Sequence, residues 1–176
     1  MPQPPTPRTT PTTPTTAGAA PSRRRSWLTL LLLLALCYGV AAAGALATGD
    51  AGSTYAALDR PAWAPPGWLF GPVWTVLYGM IAVAGWLVTR RPDPGRRPAL
   101  VAWGVQLALN ALWTPLFFAA EQYGPAFLDI ALLLAAVVTT ALLSARVDRR
   151  AAWLLVPYLL WVGYAAALNL ALWLTN

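Results

Sequence analysis

The sequence contains no histidine and no lysine, and it has one cysteine and few charged residues. Without histidine the chain cannot build a histidine-ligated zinc site, an axial-histidine haem site or a Ser-His-Asp or Cys-His catalytic centre. The cysteine, Cys37, lies in an apolar run, so neither a disulfide framework nor a Cys-x-x-Cys site is present. Charged residues make up only 10% of the 176 residues, against about 25% in a soluble domain. Most of the surface must therefore face an apolar medium, which predicts an integral membrane protein.

The N-terminal residues differ in composition from the rest of the chain. Residues 2–21 hold seven prolines and seven threonines, and three arginines follow at 23–25. Such a stretch buries too little apolar surface to offset the entropy of ordering, so residues 1–25 are expected to form a disordered Pro/Thr-rich tail that ends in arginines. The apolar run after it also fits a secretory signal peptide. A signal core has only about 7 to 15 residues, however, and the longer run favours a spanning helix.

Four further apolar segments follow, separated by loops that are proline-rich or charged. Each is near the ~20 residues that cross a bilayer as a helix. The predicted fold of residues 26–176 is therefore an all-α bundle of five transmembrane helices, with segments near 27–48, 68–89, 99–119, 124–145 and 151–174.

Arginine placement predicts the orientation, because positive charge is retained on the cytoplasmic side of a membrane. Eleven of the twelve arginines fall in the tail, the second loop and the fourth loop, and Arg60 is the one on the other side. The N-terminus is thus expected inside, with the C-terminus and the longest loop, 49–67, outside. Abundant alanine, arginine and proline without lysine are typical of a GC-rich bacterial gene. The expected location is the bacterial cytoplasmic membrane.

Tryptophan is frequent, and its positions predict two groups. Near the segment ends, an interfacial belt at headgroup level is expected, formed by Trp27, Trp68, Trp86, Trp103, Trp153 and Trp173. Deeper aromatic and amide residues share single helix faces. These stripes are Phe70, Trp74 and Tyr78; Gln106, Asn110 and Trp113; and Trp161, Ala165 and Asn169. Counted at 1.5 Å per residue, their depths are similar enough to line one cavity beneath the outer loop.

Polar groups within the spans should face the bundle interior, because an ionisable or amide side chain costs a few kcal/mol in hydrocarbon. For Gln106 and Asn169 interhelical hydrogen bonding alone is as good an interpretation as a pocket, whereas Asn110, one turn from Trp113, favours a pocket. Asp129 is interpreted as a structural carboxylate bonded to backbone or loop groups, since the spans hold no second acid or histidine to form a proton relay. Small residues at fourfold spacing would allow close helix approach, in the bundle or in a homodimer: Ala35, Gly39 and Ala43, and Gly104 and Ala108.

Three blocks of sequence resemble the signature of the TspO/MBR family, the tryptophan-rich sensory proteins and mitochondrial translocator protein. They are YAALDRPAWAPPGWLFGPVWTVLY at 55–78, QLALNALW at 106–113 followed by Phe117 and Phe118, and PYLLW at 157–161 continuing to Asn169. The resemblance implies a five-helix bundle that binds porphyrins and synthetic aromatic ligands in a pocket open toward the first loop. Carried over by motif, the implied ligand-binding residues are Tyr55, Trp74, Tyr78, Asn110, Trp113, Trp161 and Ala165.

The chain departs from the family pattern at two places. Thr54 stands where many relatives have tryptophan, and residues 168–176 lack the tyrosine and basic residue of the cholesterol-recognition motif. Sterol binding through that motif is therefore not expected.

Two classes of function follow from these patterns. The leading hypothesis is a tetrapyrrole-binding sensor or transporter, in which Trp and Tyr faces hold a protoporphyrin-like ligand and its carboxylates stay near Arg60. The resemblance also implies an alternative, light-dependent porphyrin breakdown in which Trp74 and Trp161 take part. No acid-base pair, metal set or phosphate loop supports ordinary turnover, so binding is preferred. No cofactor is required, and the expected partners are porphyrin or another flat aromatic molecule, the lipid bilayer and a second copy of the chain, with no nucleic acid.

Overall fold

The computed structural model describes Met1 and residues 23–49 and 51–176. The expected tail at 2–22 lies outside the described residues, as does Asp50. Five helices are long and apolar enough to cross a membrane, and the predicted all-α five-span fold is confirmed. In chain order the helices are α1 (Arg23–Ala47), α2 (Ala51–Ala57), α3 (Phe70–Thr89), α4 (Arg96–Phe118), α5 (Tyr123–Val147) and α6 (Arg149–Thr175).

The helix boundaries differ from the predicted segments mainly at two places. Helix α1 begins at Arg23, four residues before the apolar run, because arginine is a good helix former and its long side chain tolerates a membrane interface. The expected loop 49–67 contains the short helix α2, and Gly67–Leu69 forms one 3₁₀ turn before α3. Helix α2 ends before the prolines at 61, 65 and 66, which cannot donate backbone hydrogen bonds.

The five spans pack in a ring in the order α1, α3, α6, α5, α4, and α4 closes the ring by touching α1 and α3. The contacts of α5 with α4 and α6 are the most extensive. Side chains with no exposed surface, such as Ile81, Val137 and Tyr158, fill the interior. Helix α1 contributes little to this core, because Cys37 is its one fully buried side chain within the described residues.

One end of the bundle carries α2, the described residues of the connection from 48 to 67, and Asn176; we call it the loop end. The connection is fastened to the end of α6 by side-chain hydrogen bonds. Asn176 Oδ1 accepts from the Asp59 amide at 3.0 Å, and Thr175 Oγ1 donates to the Asp59 carbonyl at 3.2 Å. Tyr164 adds a hydrogen bond from its hydroxyl to the Trp63 carbonyl at 3.0 Å. The connection is therefore held over the bundle.

The opposite end carries the arginine-rich loops, and we call it the arginine end. Arg91 forms a salt bridge of 2.8 Å with Asp148, whose Oδ1 also caps α6 by accepting from the Arg150 amide. Burial raises the pKa of Asp148, but the hydrogen bonds and charges of these two arginines lower it below its ordinary value. Asp148 is thus ionised at neutral pH and joins α3 to the start of α6.

Four of the six tryptophans predicted to form the interfacial belt, Trp27, Trp68, Trp153 and Trp173, are exposed, and the belt stays a prediction for them, but Trp103 is buried. Trp68 and Trp153 are 72% and 73% exposed on the bundle surface. Trp103 is only 7% exposed, and its indole N–H donates to the Ile81 carbonyl at 2.9 Å. It fits there because α3 has glycine at position 85, where an added Cβ would lie 2.9 Å from Trp103 Nε1. The position of Trp103 near the end of its segment gives no indication that Gly85 on the neighbouring helix leaves room for its ring.

The predicted close-approach stripe on α1 is also wrong for the bundle. Ala35, Gly39 and Ala43 face outward, and an added Cβ at Gly39 would meet nothing within 4 Å. The close approach occurs at Gly44, where a Cβ would meet Thr114 of α4 at 3.4 Å. Gly104 and Ala108 are exposed on α4. A homodimer through their face stays a prediction.

The arginine distribution predicts which end faces the cytoplasm. A reporter joined by a flexible linker after Asn176 should read out as extracytoplasmic, and one inserted beside Gly95 as cytoplasmic, because the arginine end should remain inside. Paired alkaline phosphatase and fluorescent-protein fusions measure this. The reverse signals at both positions would contradict the orientation.

Candidate ligand-binding cavity

A cavity of about 510 Å³ lies at the loop end, between α1 on one side and α3 and α4 on the other. This volume is within the range of small-molecule sites. Along α1 its wall runs from Tyr38 to Thr48, so it extends about 15 Å along the helix. Its aromatic lining consists of Tyr38, Tyr55, Phe70, Trp74, Tyr78, Trp113 and Phe118. Four of the seven predicted binding residues are in this wall: Tyr55, Trp74, Tyr78 and Trp113.

Helix α3 supplies the largest aromatic surface of the cavity. Phe70, Trp74 and Tyr78 lie one turn apart and all reach the cavity wall. The Trp74 ring lies 5.5 Å from the Tyr78 ring, centre to centre, and 6.1 Å from the ring of Tyr158 on α6. Small neighbours complete the face, because Gly71 also lines the cavity and nothing lies within 4 Å of a Cβ added there. The three aromatic residues that fourfold spacing places on one face of α3 thus form one continuous side of the cavity.

A chain of buried hydrogen bonds lies behind this wall. Tyr78 donates to Asn110 Oδ1, Asn110 Nδ2 donates to the Tyr158 hydroxyl at 3.1 Å, and that hydroxyl donates to Gln106 Oε1 at 2.8 Å. The four side chains are at most 5% exposed. Asn110 was predicted to bind ligand, but both ends of its amide are used within this chain and it does not line the cavity. It lies behind Tyr78.

Trp113 forms the edge of the cavity on α4. Its ring stacks on Phe117 at 5.0 Å, and its indole N–H donates to Asn169 Oδ1 at 3.0 Å. Asn169 Nδ2 in turn donates to the Tyr123 carbonyl at 2.9 Å. Asn169 therefore joins α4, α5 and α6 by hydrogen bonds. Interhelical hydrogen bonding is one of the two interpretations that the sequence allows for this residue.

Tyr55 of α2 covers the cavity at the loop end. Its side chain is 3% exposed and its hydroxyl donates to the Pro65 carbonyl at 2.9 Å. The Arg60 guanidinium lies 5.0 Å above the Tyr55 ring centre, on the outer side. Burial raises the pKa of Tyr55 and the nearby Arg60 opposes that rise, with a net increase. The phenol therefore stays neutral, and the Arg60 cation lies against this cover.

Trp161 and Ala165 are not in the cavity wall. Tyr55 packs edge-on against Phe70 at 5.2 Å, and Phe70 packs edge-on against Trp161 at 5.8 Å, so Phe70 separates Trp161 from Tyr55. Ala165 borders a cleft of only about 10 Å³ that it shares with Tyr55, Phe70 and Trp113. The buried Trp161 Nε1 has no hydrogen-bond partner among the described residues.

Asp129 of α5 is buried in the bundle, as predicted for an intramembrane acid, but its expected backbone partner is not found. Its Oδ2 atom is buried and unpaired within the described part of the chain, and so is Gln106 Nε2. Across residues 23–49 and 51–176 no three histidine, cysteine or acidic side chains are grouped so that they could hold a metal. The cavity offers aromatic surface and hydroxyl groups, which suit binding of a flat molecule.

Several wall residues were missed from the sequence because they lie on α1 or are small. Tyr38, Ala41, Gly44 and Ala45 belong to a helix that is apolar on every side, so periodicity does not mark its inner face. Thr114 could have been found from the sequence, since it lies four residues after Asn110 and so continues the polar stripe predicted on α4.

Replacing Asn110 with leucine should destabilise the bundle by about 2–4 kcal/mol, because Tyr78 and Tyr158 each lose a buried partner. Thermal unfolding of the detergent-solubilised protein, with Tyr164→Phe as the control for a hydroxyl at the loop end, measures this. An unchanged midpoint for Asn110→Leu would contradict the buried chain.

Comparison with known proteins agrees with this architecture. The TspO/MBR family profile matches residues 31–174. Translocator protein of Ovis aries is 39% identical over 131 residues, covering 73% of this chain and 78% of that protein. Tryptophan-rich protein TspO of Chlorobaculum tepidum is 41% identical over 145 residues, covering 81% and 92%. Protein CrtK of Rhodobacter capsulatus is 37% identical over 150 residues, covering 82% and 94%. The chain is an integral membrane protein that belongs to the TspO/MBR family.

Proposed function

We propose that the protein binds a tetrapyrrole such as protoporphyrin in the cavity between α1, α3 and α4, and acts as a sensor, regulator or transporter of that ligand. The observation that carries the proposal is the wall formed by Phe70, Trp74 and Tyr78 beside a space of about 510 Å³. A flat aromatic ring gains both apolar burial and favourable ring contacts against such a wall.

Charge placement supports one orientation of the ligand. Arg60 lies above Tyr55 at the loop end, whereas the cavity wall itself contains no charged side chain among the described residues. A carboxylate in an uncharged apolar space is costly unless it is paired. The carboxylates of a porphyrin should therefore stay at the loop end near Arg60, while the ring enters between α1 and α3.

The choice between sensing and transport rests on the relatives. One relative, 36% identical over 143 residues, is named tryptophan-rich sensory protein, and others are named translocator protein. Both activities begin with reversible binding, for which this cavity is suited. With the arginine end inside, the cavity opens toward the outer half of the membrane, and the bacterial cytoplasmic membrane is the proposed location.

Filling the cavity tests the binding site. Replacing Gly71 with phenylalanine should weaken protoporphyrin IX binding at least about tenfold, because the new ring occupies the space beside Trp74. Dark titration of detergent-purified protein, followed by tryptophan quenching, measures the dissociation constant.

Gly163→Phe is the matched control, since an added Cβ at Gly163 also meets nothing within 4 Å but this residue is not in the cavity wall. Equal affinities of wild type and Gly71→Phe would place the porphyrin elsewhere. Absence of saturable binding by the wild type would overturn the proposed function.

Light-dependent breakdown of the bound porphyrin is the second candidate function, and the placement of Trp74 favours it. The Trp74 indole borders the cavity and would contact the ligand directly, whereas Phe70 stands between Tyr55 and Trp161. An indole beside an excited porphyrin can donate one electron to it, which oxidises the indole to a radical cation and reduces the porphyrin to a radical anion. Molecular oxygen is the co-reactant that oxidative opening of the ring then requires, and phenylalanine is far harder to oxidise than indole.

Substitutions of Trp74 and Trp161 therefore give a matched pair of variants that tests this second function. Trp74→Phe should remove light-dependent loss of porphyrin absorbance and cost at most about tenfold in dark affinity, because an aromatic face remains. Trp161→Phe should retain more of the photochemistry. Illumination of the protein–porphyrin complex, normalised to bound porphyrin, distinguishes them. If neither change affects porphyrin loss, the tryptophans take no part in it.

A further inference from the structure

Another cavity, of about 170 Å³, lies at the arginine end of the bundle, where the chain leaves α3 and enters α6. Its surface is mostly polar, and its lining residues are Leu87, Arg90, Arg91, Asp148 and Arg150. We call it the arginine cavity. Three arginines and one ionised aspartate give its wall a net charge of +2 at neutral pH.

The aspartate of this wall balances the charge of one arginine only. Asp148 Oδ2 accepts from Arg91 Nε at 2.9 Å and lies 2.8 Å from Arg91 Nη2. This pairing fixes the Arg91 guanidinium on Asp148. Arg90 and Arg150 form no salt bridge within residues 23–49 and 51–176. Two positive charges at the cavity are therefore left without an anion.

Arg90 is held beside the cavity by an aromatic ring. Its guanidinium carbon lies 4.6 Å from the centre of the Trp86 ring, a distance at which a cation is attracted to an indole face. The ring is itself fixed, because its N–H donates to the Ser26 carbonyl at 2.8 Å and it stacks on Trp27 at 5.9 Å. Contact with a ring face uses none of the guanidinium N–H donors, so they stay available to an anion.

Membrane orientation alone does not account for this arrangement. Positive charge at this end suffices to orient the chain, and Arg96 and Arg149 supply such charge without lining the cavity. Orientation does not require three arginines around one polar space, or fixed partners for two of them. The first turn of α6 does not provide the site either, since the amides of Arg150 and Ala151 bond to Asp148.

We infer that the arginine cavity binds a phosphate group, with Arg90 and Arg150 as its ligands and the Arg91–Asp148 pair as a fixed part of the wall. Guanidinium groups suit this role because their N–H donors match phosphate oxygens in pairs. The two unbalanced charges also match the one or two negative charges of a phosphate group. This inference is independent of the tetrapyrrole proposal, because the ligand-binding cavity lies at the loop end.

Two sources can supply a phosphate group at this end: the headgroup of an anionic phospholipid, and phosphate in solution. Trp27 and Trp86 belong to the predicted interfacial belt, which would place the arginine cavity near headgroup level. Basic pockets on the cytoplasmic side of a bundle are suited to anionic headgroups. The lipid is therefore the favoured source, and the experiment has one arm for each.

Lipid binding by the detergent-purified full chain tests the first source. Native mass spectrometry measures dissociation constants for dioleoylphosphatidylglycerol and, as the neutral reference, dioleoylphosphatidylcholine. The wild type should bind phosphatidylglycerol at least about tenfold more tightly than phosphatidylcholine, because each unpaired guanidinium supplies charge-assisted hydrogen bonds to an anionic headgroup. The double variant Arg90→Gln/Arg150→Gln should lose that preference.

Inorganic phosphate tests the second source. At constant ionic strength, with chloride as the replaced anion, phosphate should raise the thermal unfolding midpoint of the wild type but not that of Arg90→Gln/Arg150→Gln. A ligand that binds only the folded protein stabilises it, and the variant lacks the site.

Arg96→Gln/Arg149→Gln is the matched control. It removes the same two charges from the same end of the bundle, and all four arginines are exposed, so both double variants should fold. Arg149 is the sequence neighbour of Arg150 but is not in the cavity wall. The control should therefore keep the wild-type response to both probes. If the Arg90/Arg150 double variant does not fold, each single variant should lose part of the response.

The outcomes separate the sources and the site. A phosphatidylglycerol preference that is lost in Arg90→Gln/Arg150→Gln and kept in the control identifies a lipid headgroup. A rise in midpoint with phosphate that depends on the same residues, without a lipid preference, identifies phosphate in solution. Equal responses of the wild type and Arg90→Gln/Arg150→Gln to both probes overturn the inference. Equal losses in the two double variants also overturn it, because binding then follows the net charge of the arginine end.

Discussion

The buried hydrogen-bond chain from Tyr78 through Asn110 and Tyr158 to Gln106 is the interaction on which the bundle and its cavity depend. It joins α3, α4 and α6 in the interior, where its four side chains are at most 5% exposed. Within a bilayer, helices gain little from burying apolar surface against each other, so packing and polar bonds determine which helices associate. The chain draws three spans together and positions Tyr78 at the cavity wall.

Helix α1 is excluded from this chain, and the cavity lies where α1 meets the other spans. Its polar links to α3 include the Tyr38 bond to the Thr75 carbonyl and, at the arginine end, the Trp86 bond to the Ser26 carbonyl at 2.8 Å. Between the Tyr38 bond and the loop end, alanine and glycine face α3 and α4. Small side chains on α1 leave space beside a wall of large aromatic ones on α3 and α4. The cavity is thus a consequence of unequal side-chain size on the two sides of this helix interface.

The sequence predicts the parts of this arrangement that depend on one helix at a time. Five spans follow from apolar length, and the Phe70, Trp74 and Tyr78 face follows from fourfold spacing. Features that depend on two helices were not accessible in the same way. Trp103 enters the bundle because Gly85 lies opposite it, and Asn110 turns from the ligand toward Tyr78 and Tyr158. Sequence spacing predicts which face of its own helix a residue occupies. Which group that residue contacts depends on the side chains of the neighbouring helix.

The loop end connects the cavity to the last turn of α6. Tyr55 covers the cavity and donates a hydrogen bond to the Pro65 carbonyl. Asp59, which lies between Tyr55 and Pro65 in the chain, is hydrogen-bonded through its backbone to Thr175 and Asn176. The cover is therefore fastened on both sides of Arg60, the cation proposed to meet the ligand carboxylates. The Asp59 bonds join exposed groups, so water can replace them at small cost, whereas the Tyr55 bond to Pro65 is buried. A ligand that displaces Tyr55 must therefore compensate for one buried hydrogen bond, the one to the Pro65 carbonyl, while the chain from Tyr78 to Gln106 behind the wall stays intact.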